Sequence, residues 1–396
     1  MYPNDSFFSV WRNNYLKDQI LYHLKLYREN YCKRFITLKE FRDYRYASYI
    51  VDLNYGINEI FSKADIPASV ETLTISSDIE LPLSENIIPD TVRTLKFINY
   101  NYPVSKKTFP STIKSLIVSS FFNQYLDPGI LPSSLTHLEL GDSYNQPLLP
   151  NAIPPTVTTL KFGTEYSNGS YRQIISPNVI PNSVTFLSIG FEYISLYQLS
   201  IPTSVTRLHL YGTTDQPISP GQIPNSVKIL KLKCFNKPIL KKAIPESVTK
   251  LSLYEPFAQP APFSKDIIPK SVTSLSISNI DLLTFKSIPK SVVKLKLGNK
   301  HSNNRQKQVL KPLVRSKPSI LQKVLHHSNS DVNSMETLIP PSVKTLVLNL
   351  NIKLVPHSIS TSITSLRFGF GFEENIYQHI QLQHSNLKMH FMIGPI

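Results

Sequence analysis

One ten-residue phrase, Ile-Pro-x-Ser-Val-x-x-Leu-x-Leu, recurs along this chain, and its period constrains the fold more than any other feature. Copies occupy residues 66–75, 88–97, 153–162, 180–189, 201–210, 223–232, 244–253, 268–277, 288–297 and 339–348. Softer copies lie at 109–118 and 131–140, and a copy without its proline lies at 359–368. From Pro67 to Pro289 successive prolines are 20 to 27 residues apart, most often 21 or 22. A fixed period of this length marks a solenoid, in which each repeat is one coil stacked on the next.

Within the phrase, Leu160 and Phe162 alternate with Thr159 and Lys161, the period-two pattern of a strand with one buried face. Val157, Thr158 and Thr159 are β-branched and suit extended backbone. Proline cannot sit in a central ladder, so the repeated Ile-Pro pair belongs at the corner before each strand. The chain has 31 prolines and only 12 glycines, so proline does much of the turning. The segments between strands lack room and periodicity for a long helix, so the return side should be extended. The serine of each Ser-Val is expected to bond backbone within its own turn. One coil cannot stand alone. About five apolar side chains at roughly 1.5–3 kcal/mol each do not offset ordering about 22 residues at roughly 1–2 kcal/mol each. The expected fold is therefore mainly β, a parallel β solenoid of 13–14 coils of about 22 residues, with a small N-terminal helical region.

A second phrase precedes several corners: Tyr144-Asn-Gln-Pro-Leu148, Asp215-Gln-Pro-Ile218, Phe235-Asn-Lys-Pro-Ile239, and in weaker form Phe122-Asn-Gln124 and Phe257-Ala-Gln-Pro260. The two phrases in phase resemble the FNIP repeat family, a relative of the leucine-rich repeats, over about residues 63–370. The resemblance implies a leucine-rich-repeat-like binding scaffold without catalytic residues. Turns such as those after Ile189 and Ile277 lack the Phe-Asn pair, so an asparagine ladder should be interrupted there.

Residues 1–62 differ in character. Phe7, Phe8, Trp11, Tyr15, Leu16, Ile20, Leu21 and Leu24 fall at spacings that suit an amphipathic helix. That helix is either a cap over the first coil or a docking module. In the second case Leu16-x-x-x-Ile20-Leu21-x-x-Leu24 resembles the first helix of an F-box, which implies the adaptor of a cullin ubiquitin ligase as partner. Between residues 299 and 338 the rhythm lapses. The reading is a basic loop (299–317) followed by a decayed repeat with Pro318, Leu321 and Val324, or a single disordered insertion. Residues 371–396 read as a C-terminal cap, and His379, His384 and His390 there as surface residues, not metal ligands.

The net charge of +15 is concentrated. Residues 228–323 carry 20 Lys/Arg against 4 Asp/Glu, whereas residues 1–227 carry 18 against 19. On the strand positions that point away from the core this gives Arg207, His209, Lys231, Lys233, Lys250, Lys294 and Lys296, with Ser274 and Ser276 between them. Such a dense set should repel itself by roughly 1 kcal/mol per pair at contact distance in water, unless salt screens it or an anion fills it. These seven residues are the candidate binding site. The leading partner is an unknown protein, acidic in character. Nucleic acid or another polyanion is the alternative, less favoured because no aromatics interleave with these lysines. No nucleotide-binding loop, metal motif or catalytic motif stands out, so no enzyme activity, cofactor or metal is expected. Cys32 and Cys234 follow no disulfide framework. No apolar run approaches the roughly 20 residues of a membrane span, and residues 1–14 lack a signal-peptide pattern. The expected setting is intracellular, in the cytoplasm.

Overall fold

The computed structural model describes residues 13–56, 59, 61–76, 82–118, 120–163, 171–192, 196–214, 216–233, 237–254, 263, 266–278, 283, 287–298, 339–349, 362–369 and 388–391. The chain divides into two compact units, Met1–Val184 and Thr185–Ile396. In both, short parallel strands follow one another in chain order, and each is the strand of one coil. The expected parallel β solenoid is what the structure shows.

The strand pattern follows directly from the phrase. In Thr159–Phe162, Leu160 and Phe162 are buried while Thr159 and Lys161 are half-exposed. The corner before it is a β-turn in which the amide of Val157 donates to the carbonyl of Pro154 at 3.0 Å. The same bond recurs from Val70 to Pro67, Val205 to Pro202, Val248 to Pro245 and Val343 to Pro340. Proline serves here because its carbonyl is needed and its missing N–H is not.

The serine does not act within its own turn, as expected, but reaches across to the coil before it. Ser226 Oγ donates to the carbonyl of Val205 at 2.8 Å, Ser247 to Val227 at 2.8 Å, Ser271 to Val248 at 2.7 Å and Ser291 to Val272 at 2.8 Å. Thr112 and Ser134 make the same bond in the first unit, to Val92 and Ile113. A turn leaves that valine carbonyl pointing along the stack, where one hydroxyl per coil satisfies it. A second periodic feature sits three residues before the proline. Asn86, Gly129, Asn151, Asn178, Gly221 and Lys242 all have positive φ there. Asparagine and glycine tolerate this conformation; lysine adopts it at a cost.

In the first unit the strands are β1 (Cys32–Phe35), β2 (Asp52–Tyr55), β3 (Thr72–Ile75), β4 (Thr94–Phe97), β5 (Ser115–Ile117), β6 (His137–Leu140) and β7 (Thr159–Phe162). β1 and β2 lie within residues 1–62 and pair in parallel with each other, and β2 pairs in turn with β3, so the ladder begins before the proline phrase does. Helix α1 (Asn14–Asn30) is capped by Asn13 and packs on the short 3-10 turn Ala47–Tyr49. Its Tyr27 meets Tyr49 edge to face at 5.0 Å. A short helix, α2 (Leu38–Arg42), follows β1 and carries Arg42, which is bonded to Asp65. On the return side an asparagine ladder runs through three coils. Asn101 Oδ1 accepts from the Asn123 amide, Asn123 Oδ1 from the Asn145 amide, and Asn145 Oδ1 from the Arg172 amide, all within 2.8–2.9 Å. Beside it the rings of Phe122, Tyr144 and Tyr171 stack 6.3 Å apart and nearly parallel. Burial pushes both tyrosine phenols far above their ordinary range.

In the second unit the strands are β8 (Phe186–Glu192), β9 (Arg207–Thr213), β10 (Ile229–Lys233), β11 (Lys250–Tyr254), β12 (Ser274–Ile277), β13 (Lys294–Leu297), β14 (Thr345–Leu348), β15 (Ser365–Phe368) and β16 (Lys388–Phe391). β8 and β9 are longer than the rest, and Gly190 makes their close pairing feasible. A Cβ there would lie 2.1 Å from Tyr211 Cε2. Among the described residues the return segments hold no α-helix; they include the 3-10 turn Leu196–Gln198, the turns that close Ser219–Gln222 and Leu240–Ala243, and a parallel bridge from Ile218 to Ile239. β13 pairs directly with β14, and Ser342 Oγ bonds the Val292 carbonyl at 2.9 Å. The expected basic loop and decayed repeat of residues 299–338, and most of the expected cap at 371–396, lie outside the described residues.

Candidate functional site: the outer strand face of the second unit

Because the strands are in register, outward residues line up in columns with neighbours about 4.8 Å apart. The first column reads Phe186, Arg207, Ile229, Lys250, Ser274, Lys294, Thr345, Ser365. The second reads Ser188, His209, Lys231, Ser252, Ser276, Lys296, Val347, Arg367. Lys233 lies one step further along β10, between Tyr211 and Tyr254. All seven sequence-derived candidates therefore stand on one face of one unit. Arg207, Lys250 and Lys294 are exposed; His209, Lys231, Lys233 and Lys296 are half-buried. From β9 to β15 no outward strand position carries a carboxylate.

Two expectations need correction. The cations are only partly adjacent: His209 stands beside Lys231 and Lys294 shares β13 with Lys296, but between β10 and β13 the register interleaves them. Lys250 has Ile229 and Ser274 beside it, Lys294 has Ser274 and Thr345, and Lys296 has Ser276 and Val347. Two cations separated by a strand, about 10 Å, repel by only about 0.4 kcal/mol in water, and less with salt. Nor is the face without aromatics. Arg207 Cζ sits 5.2 Å from the Phe186 ring centre, and Lys231 Nζ sits 5.2 Å from that of Tyr254. His209 meets Phe186 edge to face at 4.9 Å. These rings hold the cationic heads in place and are covered by them.

The structure adds cations that the strand pattern did not single out. Arg367 on β15 continues the second column, and Lys388 follows Ser365 in the first. Lys228 and Lys344, just before β10 and β14, are exposed. The signal was in the repeat: they fill the first variable position after the valine, one step before the positions that were read.

The corresponding face of the first unit is different. Its columns carry Thr72, Thr94, Ser115, His137 and Thr159, beside Thr74, Lys96, Ile117, Glu139 and Lys161. Lys161 Nζ donates to Glu139 Oε2 at 2.9 Å, and His137 Nε2 lies 3.7 Å from the same oxygen. His137 foremost, with Lys161, holds the Glu139 carboxyl below the ordinary glutamate range. Among the described residues no three His, Cys, Asp or Glu side chains gather into a group able to hold a metal. No helix among them is long and apolar enough to cross a membrane.

Comparison with known proteins agrees with this architecture. Residues 58–100, 122–165, 195–234, 235–279 and 261–300 match the FNIP repeat. An FNIP repeat-containing protein of Dictyostelium discoideum is 30% identical over 111 residues, 28% of this chain and 20% of that protein. The match thus spans about a fifth of the curated relative's length. Among solved structures, CroV588, described as a circular leucine-rich-repeat protein, overlays with a TM-score of 0.56 at 24% identity. That overlay covers 83% of this chain and 44% of the other, and it speaks to fold alone. With repeats matched in both units and the parallel coils they predict, the chain belongs to the FNIP repeat family.

Proposed function

We propose that this chain is a non-enzymatic scaffold that binds an acidic protein through the outer strand face of its second unit. One observation carries the reading. From β9 to β15 the outward positions hold Arg207, Lys231, Lys233, Lys250, Lys294, Lys296 and Arg367 and no carboxylate. A cationic strip over regular, in-register backbone is a rigid surface that complements negative charge and speeds encounter with it. Nucleic acid fits less well. The face's aromatic rings at Phe186 and Tyr254 lie against Arg207 and Lys231, where stacking with bases would compete with those contacts. The test is charge reversal of Lys231, Lys250, Lys294 and Lys296 to Glu in one variant. Its binding to poly-glutamate, and its main partner in affinity purification, should be lost. An unchanged bound set and unchanged poly-glutamate affinity contradict the site.

A second reading concerns α1. Leu16, Ile20, Leu21 and Leu24 are 40%, 36%, 45% and 56% exposed, so the apolar pattern that resembles an F-box helix lies open on the first unit. This supports docking of a ubiquitin-ligase adaptor there. Full-length protein with Ile20→Asp and Leu24→Asp should lose an adaptor that wild type retains at micromolar concentration. No retention by wild type removes this reading.

A further inference from the structure

Six outward positions on β11, β12 and β13 form a block of two columns by three strands. Hydroxyls stand at Ser252, Ser274 and Ser276, and ammonium groups at Lys250, Lys294 and Lys296. The arrangement is centred on β12. Ser274 is flanked in register by Lys250 and Lys294, and Ser276 by Ser252 and Lys296. Ser276 is the unusual member. It is only 9% exposed, and its Oγ has no hydrogen-bond partner among the described residues. A buried hydroxyl without a partner runs against the ordinary rule for protein interiors. The serines of the Ser-Val corners, by contrast, bond a carbonyl of the coil before them.

A group that suits the block must accept hydrogen bonds from hydroxyls at the centre and balance three cations around them. A carboxylate brings one charge and two oxygens. A phosphoryl group brings about −1.5 to −2 charges and three acceptor oxygens. Its demand is local, and so is the supply. Hydroxyls also stand on this face at Ser188, Thr345 and Ser365, but the buried Oγ without a partner is the one at Ser276, inside the block. We propose that the β11–β13 block binds the phosphoryl group of a phosphoserine or phosphothreonine in an acidic protein segment. This rests on the basic-face reading and sharpens it: the flanking cations take the acidic residues, and β12 reads the modification.

The test uses the full chain and a fluorescein-labelled, glutamate-rich peptide with a central serine, in phosphorylated and unmodified forms, by anisotropy at fixed ionic strength. The phosphorylated form should bind about tenfold tighter, the gain expected of added charge-assisted bonds. Ser276→Ala should remove most of that gain and leave the unmodified form's affinity unchanged. The hydroxyl bonds nothing in the fold, so the variant should melt with wild type. Inorganic phosphate should compete better than sulfate at matched ionic strength. Equal affinity for the two peptides overturns the phosphoryl assignment while leaving the basic-face reading intact. So does a Ser276→Ala variant that keeps the full preference, or a single-stranded RNA of equal charge that binds more tightly than the phosphopeptide. If neither peptide nor poly-glutamate binds, both readings fall together.

Discussion

The two units are built alike inside and differ on the outside. Leu138 on β6 and Leu208 on β9 are both fully buried in the same place in the coil, after the same proline corner. Yet the outward residues beside them are Glu139, paired with Lys161, in the first unit and His209, followed by Lys231, in the second. Stacking explains the constancy, because each coil must offer its neighbours the same apolar surface. Outward positions meet no such demand and are free to carry function. In the first unit Glu139 is neutralised within the face; in the second the outward strand positions of β9–β15 hold only one sign of charge.

This contrast can be broken in several ways. Leu138→Ala and Leu208→Ala should each cost about 2–5 kcal/mol in denaturant melts, the range for truncating a buried leucine. A cost under about 0.5 kcal/mol for either would remove that residue from the common core. Asn123→Ala should cost about 1–3 kcal/mol, because the Asn145 amide loses its acceptor inside the ladder. That loss should fall on the first unit's transition in calorimetry and leave the second unit's alone. Acid should also single out the first unit. Bonding to Arg42, then to the Ser62 amide, holds the Asp65 carboxyl at about 2, below its ordinary 3.8. A depressed folded-state value means the unfolded chain takes up the proton more readily. The contribution is full above about pH 4 and lost as pH falls through about 2. Asp65→Asn should therefore be less stable than wild type at neutral pH and converge with it in that window. The smallest effect is a gain. Lys242→Gly should stabilise by about 0.5–1 kcal/mol by relieving a left-handed lysine, while Asn151→Gly at the matching position should change little.

The repeated core was legible because period and burial are the same statement in a solenoid. Val-x-x-Leu-x-Leu places its apolar residues with no knowledge of the neighbouring coil. What was misread depended on that neighbour. The serines looked local because nothing in a single repeat says that the previous valine carbonyl lies 2.7–2.8 Å away. The face looked free of interleaved aromatics because nothing in a single repeat says that Arg207 Cζ lies 5.2 Å from the Phe186 ring centre on the neighbouring strand. β1 and β2 were not picked out as coils because Cys-Lys-Arg-Phe and Asp-Leu-Asn-Tyr follow no proline corner. Tyr254 joined the face because it ends β11 one step beyond the repeated phrase, next to Lys233 in register.

Lysine footprinting tests the central claim most directly. The chain is acetylated with and without poly-glutamate, and each lysine's reactivity is read by mass spectrometry. Lys231, Lys250, Lys294 and Lys296 should become protected, while Lys106, Lys107 and Lys114 of the first unit keep their reactivity. Protection spread evenly over both units, or confined to the first, would contradict the account.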